Sequence, residues 1–215
     1  MHRPIDAVLF DYGGVITAFS PFTTMGALGA DAGVAPEVVL ATMMGDYHQD
    51  TDHVWHQVER GEVPITTWLA EVIPALGDLG VELDLNALAG MFKTLGIHDV
   101  VVAKVAALKA DGYKTAIVTN NVKEGSAEWR SMLDLDALFD VVIDSSAVGM
   151  RKPNPAIYRL ALDELGGIEP ARAVFLDDHE GNIAGARAVG LHAILVGPDP
   201  QPALDELDRI LAGSA

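Results

Sequence analysis

The chain has 215 residues, 50% of them hydrophobic, which is enough for one α/β core carrying a modest insertion. Its 31 acidic side chains against 14 basic ones give a formal net charge of −17. Such a surface repels nucleic-acid backbones and anionic lipid, so neither is an expected partner, and the absence of cysteine excludes disulfides and thiolate metal sites.

Met1-His2-Arg3-Pro4 leads into an apolar run too short for a signal-peptide core, and no stretch has the length of a membrane-spanning helix. The protein is expected to be soluble, unprocessed and cytoplasmic. Ala7 to Phe10 reads as a buried strand, and it ends in Phe10-Asp11-Tyr12-Gly13-Gly14-Val15. Asp11 therefore falls at a strand end, beside two glycines that let backbone approach a ligand closely.

From Ile16 to His98 the apolar residues recur at helical spacing, as in Val38, Val39, Thr42 and Met43, or Trp68, Val72 and Ile73. The interval 16–98 reads as an inserted helical unit. Gly61 and Pro64 are expected to separate two of its helices, and Pro74 with the Gly77 to Gly80 stretch two more. Three clustered histidines, His48, His53 and His56, lack the i, i+4 spacing of a helical ligand pair and read as a polar surface.

Beyond it, strands at Lys114 to Val118, Val141 to Ile143, Ala173 to Leu176 and Ala193 to Val196 alternate with helices at Val100 to Ala110, Ala156 to Leu165, Ile183 to Val189 and Ala203 to Leu211. This alternation predicts a parallel sheet flanked by helices, built from 1–15 and 99–215, with ligands at the carboxyl ends of the strands. The second strand leads into Thr119-Asn120-Asn121, offering a hydroxyl and amides to a phosphate oxygen. After the third comes Gly149-Met150-Arg151-Lys152-Pro153-Asn154-Pro155, with Lys152 on the loop before a helix that Pro155 opens. The fourth leads into Asp177-Asp178-His179, two adjacent acids that resist burial without a cation.

Singly, each is weak: Asp11 or Thr119 could cap a helix, and Lys152 could be a solvated loop residue. Together they supply a carboxylate nucleophile, a hydroxyl, an ammonium and an acidic pair at successive strand ends. That set suits phosphoryl transfer to a carboxylate, with Mg²⁺ between the acids and Lys152 as a point charge. The expected partner is a small phosphorylated metabolite; no motif specifies an oligomeric state.

These motifs, in this order, resemble motifs one to four of the haloacid dehalogenase superfamily along the whole chain. Gly149-Met150-Arg151-Lys152-Pro153, together with Glu59-Arg60-Gly61-Glu62 and Phe175-Leu176-Asp177-Asp178, resembles α-D-glucose-1-phosphate phosphatases and the phosphatase domain of soluble epoxide hydrolases. The resemblance implies a Rossmann-like core with a helical cap inserted after motif one. It also implies Mg²⁺ held by Asp11, the Gly13 carbonyl and Asp178, with Asp177 assisting through water. Thr119, Asn120 and Lys152 would bind phosphate.

Most phosphatases of the superfamily have a second Asp where this chain has Gly13, serving as acid to the leaving oxygen and then as base to water. Gly13 keeps a carbonyl but removes that proton carrier, worth roughly 100-fold to 10,000-fold in rate. The glucose-1-phosphate phosphatases share a Gly there, and an anomeric phosphate needs the acid least. His179, following the acidic pair, is a candidate substitute set against the plainer reading of a polar loop residue. Against a 2-haloacid dehalogenase stands the acidic pair, which those metal-independent enzymes lack. Against a phosphonate hydrolase stands the cap, which offers only Lys93 for a Schiff base. A receiver domain has its acidic pair first, and a silent phosphate-binding protein would keep the site without proton transfer.

Overall fold

The computed structural model describes residues 4–18, 25–85 and 96–213. Strands β1 (Ala7–Phe10), β2 (Lys114–Thr119), β3 (Val141–Asp144), β4 (Ala173–Asp177) and β5 (His192–Leu195) form one sheet in the order β3-β2-β1-β4-β5, each adjacent pair parallel. The apolar runs locate all five. Their ends differ because the ladder carries polar residues that an apolar run leaves out. Thr119 pairs with Asp144 and Asp177 with Leu195, so β2, β3 and β4 each run one residue further, while β5 begins one residue earlier and ends one earlier.

The helices are α1 (Pro36–Met44), α2 (Val54–Glu59), α3 (Ile65–Asp78), α4 (Asp99–Ala110), α5 (Ser126–Arg130), α6 (Leu135–Leu138), α7 (Ser145–Val148), α8 (Pro155–Glu164), α9 (Glu180–Val189) and α10 (Gln201–Leu211). None of the described helices is long and apolar enough to cross a membrane. Pro155 opens α8 as expected, and Asn154 Oδ1 accepts the Ala156 N–H at 3.0 Å. Helix α9 begins three residues earlier than its apolar periodicity suggests. The His179 side chain accepts the Gly181 N–H at 3.1 Å and so caps a polar first turn.

Alternate side chains of each strand face opposite layers. Val8, Phe10, Ile117, Val174, Leu176 and Ile194 pack with Val101 and Val105 of α4 and Leu204 and Leu207 of α10. On the other face Ala7, Leu9, Ala116, Val118, Phe175 and Ala193 pack with Ile157, Tyr158 and Ala161 of α8 and Ile183 and Ala186 of α9. The sheet is thereby a helix-covered Rossmann-like layer with its carboxyl ends free to carry the polar motifs.

A third cluster belongs to the interval between β1 and α4: Val39, Met43 and Met44 of α1, Trp55 and Val58 of α2, and Trp68, Val72 and Leu76 of α3. The chain leaves and rejoins the sheet layer at adjoining points. Thr17 and Ile97 form an antiparallel bridge, Ala18 N–H donates to Gly96 at 2.8 Å and His98 N–H to Ile16 at 2.9 Å.

Pro74 does not separate two helices: α3 runs through it to Asp78, and Gly80, at φ 76°, follows its end. The stripe Trp68, Val72 and Leu76 is buried along its length, and the Trp68 indole donates to the Met43 carbonyl at 2.7 Å, which holds the helix together past the proline. Leu76 has no exposed surface, whereas Ile73 on the same helix is 42% exposed. Leu76→Ala is accordingly expected to cost about 2–5 kcal/mol in urea unfolding. Ile73→Ala should stay within about 0.5 kcal/mol; equal losses would contradict this helix face.

Candidate active site

Phe10 is in register with Ile117 on β2 and Leu176 on β4, so Asp11 leaves the sheet level with Val118 and Asp177. Thr119 follows one residue later. The Asp11 N–H still donates to the Leu176 carbonyl at 2.8 Å, which fixes its backbone to β4. Its side chain turns back to cap the coil Tyr12–Ile16, Oδ1 accepting the Tyr12 N–H at 2.7 Å. The same Oδ1 lies 2.8 Å from Lys152 Nζ. Oδ2 accepts no hydrogen bond among the described residues.

Lys152 is not a solvated loop residue. Its side chain has no exposed surface and lies between Asp11 and Asp177, with Nζ 2.7 Å from Asp177 Oδ2. Asp177, also fully buried, accepts the His179 N–H at 2.8 Å on Oδ1 and the Asn182 amide at 2.9 and 3.1 Å on its two oxygens. Burial alone would lower the Lys152 pKa; Asp11 and Asp177 outweigh it and raise the value, keeping the ammonium. Asp177 thus orients the lysine, and Asn182 completes it. Asn182 escaped the sequence reading because an amide in the polar first turn of a helix carries no periodic signal.

Asn120 has a more specific position than a phosphate donor requires. Its side chain clamps Lys152 at both main-chain atoms, Oδ1 accepting the N–H at 2.7 Å and Nδ2 donating to the carbonyl at 3.0 Å. Nδ2 also donates to the Tyr47 hydroxyl at 3.3 Å. With the amide so used, any contact from Asn120 to a phosphate oxygen falls to its main-chain N–H. Thr119 is 2% exposed and caps no helix; its hydroxyl makes no hydrogen bond among the described residues.

Gly13 and Gly14 differ in kind. Gly14 has φ 71°, and a Cβ there would overlap the Asp178 carboxylate, so position 14 needs glycine twice over. Gly13 has φ −68° and ψ 135°, a conformation open to any residue. Asp178 packs on the Gly14 Cα, and one oxygen each from Asp11, Asp177 and Asp178 lies within 4.8 Å of the others. Burial raises the Asp11 pKa well above its usual value; Asp177 and Asp178 raise it further, and Lys152 opposes them. Three carboxylates against one ammonium leave the site short of positive charge, and its hard oxygen donors fit a Mg²⁺-like cation. Among the described residues, this is the group of three metal-capable side chains; the histidines at 48, 53 and 56 do not form one.

Those histidines do other work. His53 Nδ1 accepts the Trp55 N–H at 3.2 Å, and His56 Nδ1 accepts the Thr51 N–H at 3.0 Å. The Tyr47 and His48 rings lie 5.1 and 5.0 Å from the His179 ring, so this segment sits over the acidic pair's own loop. His179 is a poor replacement for the acid missing at Gly13. Its Nδ1 is committed to the Gly181 N–H, and burial lowers its pKa to about 4, leaving it uncharged at neutral pH. Lys93 lies outside the described residues.

Residues 5–190 match the haloacid dehalogenase-like hydrolase family. The chain is 32% identical to mouse acyl-CoA dehydrogenase family member 10 over 97% of its own length and 19% of that protein. It is 33% identical to pig bifunctional epoxide hydrolase 2 over 95% of its length and 38% of the relative. It therefore spans well under half of these longer proteins. Among solved structures, a family enzyme of Bacteroides thetaiotaomicron in complex with magnesium and inorganic phosphate has a TM-score of 0.61 at 17% identity, covering 91% of this chain and 96% of that one. L-2-haloacid dehalogenase of Xanthobacter autotrophicus has a TM-score of 0.59 at 23% identity, covering 98% and 84%. Both share the fold.

His56 makes one consequence of this packing measurable. It has no exposed surface, and burial, then Arg151 and His53, lower its pKa from 6.5 to about 4, with Asp50 opposing. The unfolded chain takes up this proton near pH 6.5 and the folded chain only near 4, so His56's contribution to stability is complete above 6.5 and is lost as pH falls through that window. The thermal midpoint should drop across it, and His56→Gln should flatten the drop; an unchanged slope would place the acid sensitivity elsewhere.

Proposed function

The chain belongs to the haloacid dehalogenase-like hydrolases, and we propose that within that family it is a magnesium-dependent phosphatase acting on a small phosphate monoester through a phosphorylated Asp11. The carrying observation is the fully buried Lys152 ammonium shared by Asp11 and Asp177, beside a third carboxylate, Asp178. Carbon–halogen displacement by a carboxylate needs no such acidic pair. Attack on a phosphate dianion needs positive charge that Lys152 alone does not supply.

In this reading the Asp11 oxygen not engaged by Lys152 attacks phosphorus, the bond to the leaving oxygen breaks, and an aspartyl phosphate forms. Lys152 stays within reach of the carboxylate and the transferring group, while the Thr119 hydroxyl and the Asn120 main-chain N–H donate to phosphate oxygens. Water then attacks phosphorus, releasing inorganic phosphate and restoring Asp11. Asp11, the Gly13 carbonyl and Asp178 would hold Mg²⁺, with Asp177 assisting through water. The chemistry supplied by the bound ion is neutralisation of the repulsion between carboxylate and phosphate.

The 16–98 interval acts as a cap over this site, on a core of 1–15 and 99–215, and selects the phosphorylated metabolite. Gly13 offers no proton to the departing oxygen, which favours esters with good leaving groups, an anomeric sugar phosphate among them. Hydrolysis of sugar phosphates and p-nitrophenyl phosphate with Mg²⁺, and its loss with EDTA, tests the assignment. If the panel is untouched while Mg²⁺ binds, the chain is a phosphate-binding relative without catalysis.

Two variants sharpen this. Asp11→Asn should lower kcat by roughly 10,000-fold or more, since an amide is a poor nucleophile; near-normal turnover would remove Asp11 from the reaction. Gly13→Asp, which the backbone accommodates, should raise turnover of poor leaving groups by up to about 100-fold. A lower rate would mean that position 13 is kept empty for space.

A further inference from the structure

The peptide of Lys152 is clamped at its N–H and its carbonyl by the side chain of Asn120. The same amide nitrogen donates to the hydroxyl of Tyr47, in the segment between α1 and α2. That hydroxyl donates to Glu59 Oε1 at the end of α2. Glu59, 1% exposed, accepts Arg151 Nε on its other oxygen at 2.7 Å. Arg151 precedes Lys152 in the chain and is fully buried. Its Nη1 donates to the Gln49 carbonyl at 2.9 Å, and its guanidinium carbon lies 4.5 Å from the centre of the Tyr47 ring.

Two points of close approach, one in this segment and one just after α2, seat the inserted interval on the sheet layer. A Cβ on Gly181 would fall 2.8 Å from the His48 Cα and 3.0 Å from the Tyr47 carbonyl oxygen. One on Gly61 would overlap the Ser146 carbonyl. A cross-link that only joined two layers would end at the Glu59–Arg151 pair. Here a second branch continues through Tyr47 and Asn120 and returns to Lys152.

We infer that Tyr47 and Glu59 are positioning residues for Lys152, closing a hydrogen-bonded circuit with Asn120 and Arg151 that makes the cap part of the lysine's seat. This rests on the reading of Lys152 as the catalytic ammonium. Lifting the cap away strips a buried guanidinium of its carboxylate, which is costly. It also takes the Tyr47 hydroxyl from Asn120, the residue that fixes the Lys152 peptide. Seating of the cap and alignment of the lysine are then one event, so a substrate that seats the cap also aligns the ammonium.

The full chain is compared with Tyr47→Phe, which keeps the ring over Arg151, and with Glu59→Gln, which keeps the shape. Assays run well below each variant's measured thermal midpoint. Exchange of the Lys152 amide hydrogen, resolved by NMR, reports its seat without reference to activity and should quicken about tenfold in both variants. With p-nitrophenyl phosphate, kcat should fall about 10-fold while KM stays within about twofold, as misalignment rather than lost binding requires. Unchanged exchange and kcat in both variants overturn the inference. A rise in KM alone also overturns it, because the two residues then contact substrate instead. If the wild-type protein hydrolyses no phosphate ester, the phosphatase reading fails, and the amide exchange alone supports or overturns the circuit.

Discussion

An ammonium without exposed surface persists in a protein only where carboxylates offset its lost hydration, and Lys152 meets that condition twice, with Asp11 at 2.8 Å and Asp177 at 2.7 Å. Much of the surrounding structure follows from this requirement. Asp177 must stay beside the ammonium, and the His179 N–H and the Asn182 amide fix its carboxylate there. The Lys152 loop must not drift, and Asn120 grips both sides of its peptide. Asp11 must lie on the opposite side, and its N–H bond to Leu176 anchors it beside β4. Removing the ammonium would leave two buried carboxylates in mutual repulsion with a third nearby.

The parallel sheet is what allows residues so distant in sequence to meet within hydrogen-bonding distance. All five strands point the same way, so their polar termini collect at one edge while the apolar side chains before them are buried in both layers. Register then sets the level of each residue. Phe10 aligned with Leu176 puts Asp11 next to Asp177, and the extra ladder residue on β2 and β4 carries Thr119 and Asp177 to the mouth instead of leaving them in loops.

The strands were legible because fully buried β-structure writes itself as short apolar runs; Asp11, Thr119, Asp177 and Asp178 stood out because they end or directly follow them, and Lys152 because it lies in the loop just before the helix that Pro155 opens. The helix through Pro74 was not, since a proline reads as a stop while the Trp68, Val72 and Leu76 stripe that overrides it acts only through tertiary packing. The task of the Asn120 side chain was equally hidden. Spacing places it near a phosphate site, but its geometry shows an amide spent on the Lys152 peptide and on Tyr47. The Glu59–Arg151 pair joins residues far apart in the chain, and neither charge carries a local signal that it is buried.

Gly13 and Gly14 look alike in the sequence, yet the constraints on them are opposite. At Gly14 both the positive φ and the Asp178 carboxylate against its Cα exclude a side chain, so that glycine is a condition of bringing the third carboxylate to the site. At Gly13 the backbone lies in an ordinary extended conformation that aspartate adopts freely. Backbone conformation therefore does not account for the missing acid there. His179 does not compensate, because its ring is spent on capping α9 and burial keeps it uncharged. On the phosphatase mechanism we propose, a well-held carboxylate and ammonium with no proton donor at position 13 suit esters whose leaving group departs readily as an anion.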